Sequence, residues 1–247
     1  MKQHVFAAAL VAAVSAYGSA LAAATIVAPG TSEDSVNKSL TVGAGTEVKD
    51  VETVNGSIDV QDQSSAQEVS TVNGSIDVGN NVSVSTLETV NGSIHAGSGL
   101  KVAHDVETVN GRIEIGAGSA IQGGVSTVNG RVTLEQTSVA KDVETVNGGL
   151  GFSNSRIGGN VELVNGRAEV LDGTIVAGDL IVRKPKGNWS WGNKSKPPVV
   201  IIGAGSEVVG RILVENEEAK VYVNDTARIG AVEGVTVTKF SGSKAPE

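Results

Sequence analysis

Few residues in this chain are equipped for chemistry, and most of those recur at a fixed spacing. Asp59, Asp77, His95 and Glu114 stand 18, 18 and 19 positions apart. Imidazole and carboxylate are metal-ligand types, yet ligands on one flat face seldom converge and adjacent carboxylates repel. A solvated polar face, its charge softened by Arg112, Arg131 and Arg167, accounts for the column, and we expect no metal and no cofactor. His95 and His104 lie in no Ser/His/Asp or metal-ligand motif, and the chain has no Cys. We therefore expect no enzymatic activity.

The other concentration of chemistry is the segment 183–198, RKPKGNWSWGNKSKPP. It holds both Trp of the chain, three of its five Pro, and five cations with no acid. Trp189 and Trp191 alternate around Ser190, so an extended segment directs both to one side. With Lys184, Lys186 and Lys194 they would suit an anionic glycan or a lipid headgroup. The same segment would equally suit a cover for the flank or end of the fold, and both readings stand.

The elements that position these residues follow from the repeat. TVNG or a close variant returns with Asn55, Asn73, Asn91, Asn110, Asn129, Asn147 and Asn165, at steps of 18 or 19 residues, and Asn37 marks a degenerate first copy. Four before each Asn is an aliphatic residue (Val51, Val69, Leu87 and onward). Three and five after it come pairs such as Ile58 and Val60, or Ile76 and Val78, with a mostly polar residue between. Apolar–polar–apolar with β-branched residues is a strand with one buried face. Valine-like positions also recur about every six residues, at Val54, Val60, Ala66, Val72, Val78, Val84 and Val90. Three sixes per period predict an all-β, single-stranded parallel β-helix of about ten three-sided coils of roughly 18 residues. Gly and Asn recur too often for helix. The Asn-Gly corners are expected to use positive φ, and the stacked amides to form a ladder along the axis.

Composition agrees with a thin, repetitive core: 32 Gly, 3% aromatics and no disulfide to staple the fold. Residues 1–22 read as a cleaved secretory signal peptide, with a cationic start, an apolar stretch and small residues before the cut. Its loss removes Lys2 and takes the net charge from −8 to −9, which disfavours nucleic acid as a partner. No transmembrane segment is expected in the mature chain. The expected organisation is 23–182 regular solenoid, 183–198 basic loop, 199–238 final coils and 239–247 polar tail. Thr25 to Glu33 is a candidate end cap.

The ETVNGSIDV, ETVNGSIHA and ETVNGRIEI coils resemble the β-strand-repeat family of exported bacterial proteins described as adhesins. The GAGTEV, GAGSAI and GAGSEV segments are similar to repeats of bactofilins, the polymer-forming cytoskeletal solenoids. The resemblance covers nearly the whole mature chain and implies a right-handed helix. The signal peptide departs from bactofilins, which act in the cytoplasm. The column Thr53, Thr71, Thr89, Thr108, Thr127 and Thr145 resembles ice-binding arrays, which carry two Thr per coil where this chain has one. Coils this short leave little room for the groove of a polysaccharide-active β-helix enzyme, which stands as a distant third reading. The expectation is an exported protein of the bacterial periplasm or cell surface. It would be structural or adhesin-like, with cell-wall or surface glycan or an envelope protein as partner. The alternative is a homopolymer joined through the solenoid ends.

Overall fold

The computed structural model describes residues 25–185, 196–242 and 244–245. The segment 1–22, expected to direct export, lies outside them. Among the described residues there are 27 short strands and no helix, all in one sheet. The chain winds into a single-stranded parallel β-solenoid of about 11 turns. The expected ten gains a turn because the candidate cap is itself coil. Thr25–Val27 pairs in parallel with Leu40–Val42, and Glu33–Ser35 with Val51–Thr53.

Each coil has three faces. The first carries strands such as Val51–Asn55, where Val51, Val69, Leu87, Val106 and Val125 are Cα partners up the stack. The second carries Ile58–Val60 and its copies, with Ile58, Ile76, Ile94 and Ile113 in register. The third is shortest, two residues in most coils, with Ala66, Val84, Val102 and Ile121 aligned. All these side chains point inward into one continuous apolar cluster running from Val27 to Val223. The stack continues in register across the 183–198 segment, since Val199–Ile202 pairs with Arg167–Val170 below and Lys220–Val223 above.

The six-residue spacing misplaces one column. Val54, Val72 and Val90 are half-buried and lie outside the core cluster, whereas Thr53, Thr71 and Thr89 point inward at 1–4% exposure. Strand alternation requires this: Val51 faces in, so Thr53 does and Val54 cannot. The buried hydroxyls have work at the corner. Thr71 Oγ1 donates to the Gly56 carbonyl of the coil below at 2.9 Å, Thr89 to Gly74 at 3.0 Å and Thr108 to Gly92 at 2.9 Å. Valine there would leave those carbonyls without this donor, and a buried unpaired carbonyl costs about 1–3 kcal/mol.

The corner glycines differ from expectation in their cause. Only Gly166 of the column has positive φ. Gly74, Gly92, Gly111, Gly130 and Gly148 are required by proximity, because a Cβ on any of them would overlap the carbonyl oxygen of the glycine one coil below. Positive φ belongs to the next corner, at Gly45, Gln63, Asn81, Gly99, Gly118, Gln136 and Asn154. A second apolar cluster lies outside the wall near the C-terminal end. It comprises Ile201, Tyr222 and Phe240, with Leu171, Val199 and Ala245 against it. There the Asn224 side-chain amide donates to the Gly242 carbonyl at 2.8 Å.

These two kinds of glycine should respond differently to substitution. Gly111→Ala forces the coils apart and is expected to cost about 3 kcal/mol or more. Gly118→Ala, at φ +75 with open space around the added methyl, should cost about 1–2 kcal/mol. Thermal melts of the two variants beside the parent check the order.

Candidate functional site

The solenoid turns each repeated sequence position into a straight column, so sites on this molecule are lines of side chains. At the first corner the Asn amides form one such line. Asn55 Nδ2 donates to Asn37 Oδ1 at 2.9 Å, and Asn73, Asn91, Asn110, Asn129, Asn147 and Asn165 each donate to the Asn one coil below, at 2.8–3.0 Å. Ser75 and Ser93 extend the corner: their N–H groups donate to Ser57 and Ser75 Oγ at 3.3 and 3.4 Å. The ladder stops in the next coil, where Leu180–Val182 pairs with Val161–Leu163 and so sets Lys184 at the Asn position, with Arg183 one residue before it.

Arg183 turns instead to acids. Its Nε and Nη2 donate to the two Glu162 carboxylate oxygens at 2.9 and 3.1 Å, and its Nη1 to Glu215 at 2.8 Å. Paired, fork-shaped contacts of this kind fix geometry as well as charge. They anchor the near end of the 183–198 segment. Lys184 follows, exposed, its N–H donating to Glu215 at 3.3 Å. Trp189, Trp191, Lys186 and Lys194 lie outside the described residues.

The second face carries the column singled out in the sequence. Asp59, Asp77, His95, Glu114 and Thr133 line a shallow, open groove. His95 Nε2 is 3.1 Å from Glu114 and its Nδ1 3.8 Å from Asp77. Arg112 approaches Glu114 at 3.9 Å, while Arg131 and Arg167 both clasp Glu169, at 2.6 and 2.8 Å. Among the described residues no three His or acidic side chains are arranged to hold a metal ion. The threonine column, buried and bonded inward, presents no hydroxyl array to solvent.

Comparison with known proteins finds no matching family model, no matching curated protein and no matching solved structure.

The first face carries a line that sequence reasoning passed over. Asp34, Glu52, Ser70, Glu88, Glu107, Ser126, Glu144 and Glu162 are Cα partners up the outer side. The signal was visible as the residue preceding each column Thr, almost always Glu or Ser. Burial pushes Glu88 up from the ordinary glutamate value, reinforced by Glu107, Glu68, Asp105 and Glu52. Glu107 is raised by burial and then Asp105, with the nearby Ser126 hydroxyl pulling the other way. Glu52 is raised by burial, then Glu68, Asp34 and Asp50. The C-terminal coils contrast with this. There Asp179 is held below the usual aspartate value, first by the Arg211 backbone N–H and then by its guanidinium.

The pH dependence follows with its sign. Where a carboxyl's folded value is raised, the folded chain binds more protons than the unfolded chain, and stability increases as pH falls toward the unfolded value near 4.5. Below about 3.8 the depressed Asp179 reverses the trend. Melting temperature should therefore rise from pH 7 to a mildly acidic maximum. Glu88→Gln should raise the pH 7 value by a few degrees and flatten the acid-side rise.

Proposed function

We propose that this chain is a non-catalytic structural protein exported to a bacterial envelope. Its rigid repeat surface would be presented to cell-wall, glycan or protein partners in an adhesin-like role. The observation that carries the reading is the unbroken register of the stack. Eleven turns at about 4.8 Å make a rod roughly 50 Å long, with every outward position repeated along it. Such a surface suits repetitive partners. The basic segment 183–198 leaves one corner of this rod with its base fixed by Arg183 on Glu162 and Glu215. In this reading Trp189, Trp191, Lys184, Lys186 and Lys194 supply the contact. The variant Trp189→Ala/Trp191→Ala should keep its fold by circular dichroism and lose retention on cell-wall or glycan material. Unchanged retention would remove the segment from the account.

A second reading, self-assembly, is favoured by the C-terminal end. Ile229, Val232, Val235 and Val237 pack against the core while remaining only half-buried. Among the described residues the strands Val232–Glu233 and Val237–Phe240 have a partner below and none above, an edge able to add another strand. Negative-stain electron microscopy at micromolar concentration separates the two: discrete short rods support the first reading, filaments of coil-wide diameter the second.

A further inference from the structure

We propose that Glu33 and Lys239 guard the two ends of the rod, each placing a charge where a second copy of the chain would otherwise add its coil. The inference rests on the first reading above only in taking the molecule as a single rod.

Two inward columns are apolar in every coil but one. On the first face, Val51, Leu87, Val161, Ile212 and Val232 belong to a line that is Val, Leu or Ile at each level, and Glu33 is its lowest member. On the second face, a line rising from Val27 through Val60, Phe152 and Ile202 to Val223 is apolar throughout, and Lys239 is its highest member. Strand alternation sets both charges on the inward side. Glu33 is the Cα partner of the fully buried Val51. Lys239 lies two residues after Val237, which packs on the core, and beside Phe240, which joins the outer cluster. Yet Glu33 is only half-buried and Lys239 is exposed. Among the described residues neither forms an ion pair.

The same coils hold the strands that lack a partner. Among the described residues, Thr25–Val27 and Glu33–Ser35 pair only upward, while Val232–Glu233 and Val237–Phe240 pair only downward. Backbone alone would let either edge take another strand, and inward-pointing charges are a known way of blunting such an edge. In register, a second copy set head to tail would lay its Val27 on Lys239 and its Glu33 on Val232. Both charges would then leave water together inside an apolar junction. They stand on different faces of the coil, and attraction inside a core at best offsets the lost hydration. In the free rod, by contrast, the Lys239 stem can cover the apolar end of the core while its ammonium stays in water. The open strands therefore favour addition, and one side chain at each end opposes it.

The test compares the purified chain with Glu33→Val/Lys239→Val by negative-stain electron microscopy and light scattering at micromolar concentration. The parent should give discrete rods of about 50 Å. The double variant should give rods joined end to end, with a several-fold rise in scattering mass. Each single variant keeps one guarded end and should stop at pairs. Asp59→Val/Lys101→Val removes the same two kinds of charge from exposed, outward positions and should stay discrete. Circular dichroism checks the fold, and Glu33→Leu/Lys239→Met repeats the comparison if valine disturbs an end coil. Folded double variants that remain discrete overturn the proposal and leave the envelope role intact. Filaments of the parent overturn it as well; their loss in Lys239→Val would mean that the two charges pair across a junction. Equal joining by the outward pair would mean general stickiness and also overturns it. Retention of the parent on cell-wall or glycan material tests the first reading separately.

Discussion

The fold depends on how closely one coil sits on the next at its first corner. Backbone lies on backbone there, with the glycine Cα of each coil over the glycine carbonyl below and no space for a methyl group. That contact fixes the vertical spacing, and the groups around it fix the register. The Asn amide bonds its copy below, the Thr hydroxyl reaches the glycine carbonyl from inside, and the Ser N–H takes the Ser oxygen outside. Each such bond is worth only about 0.5–1.5 kcal/mol. Burial of a Val or Ile contributes about 1.5–3 kcal/mol, so the core drives the stacking. The corner decides which residue stacks on which, and a slip by one would turn every inward side chain outward.

Once register is fixed, surface chemistry becomes a matter of columns. Like charges in one column are forced to within one or two rungs of each other, and the chain handles this in two ways. On the second face and in the C-terminal coils, arginines are interleaved: Arg131 and Arg167 share Glu169, and Arg211 sits between Asp179 and Glu233. On the first face, serines dilute the acids at Ser70 and Ser126, and the load persists at Glu52, Glu88 and Glu107. Arg183 joins the two patterns. It stands one residue before the position at which the Asn ladder ends, pairs with Glu162 and starts the basic segment, so the break in the repeat coincides with a fixed anchor.

Most of the architecture was legible in the sequence because a period of 18 leaves one signature per column. The inward pairs Ile58/Val60 and Ile76/Val78, the third-face positions Ala66 and Val84, and the Asn line could all be read from spacing. Val54 and Thr53 could not be ordered by hydrophobicity, since the inward position is chosen by hydrogen bonding to a corner carbonyl and threonine meets that need. The corner glycines look the same in sequence whether conformation or proximity demands them, and only the stack distinguishes the two. At the other corner, Gln63, Asn81 and Gln136 adopt positive φ without glycine, which obscures the turn. The acidic line was easy to pass over because Ser70 and Ser126 interrupt it.

Each coil lies on the one before it at the register of the Asn line, and a chain without cysteine allows a direct check. Pairs of outward cysteines can be introduced at Ser57 and Ser75, one coil apart, and at Ser57 and Ser93, two coils apart. A disulfide needs Cα atoms about 4.4–6.8 Å apart, which one rung of about 4.8 Å provides and two rungs do not. Mild oxidation of dilute protein, read by mass spectrometry, should close the Ser57→Cys/Ser75→Cys pair within one chain and leave Ser57→Cys/Ser93→Cys open. Closure of the second pair, or failure of the first in a folded chain, would contradict the stacking on which the account rests.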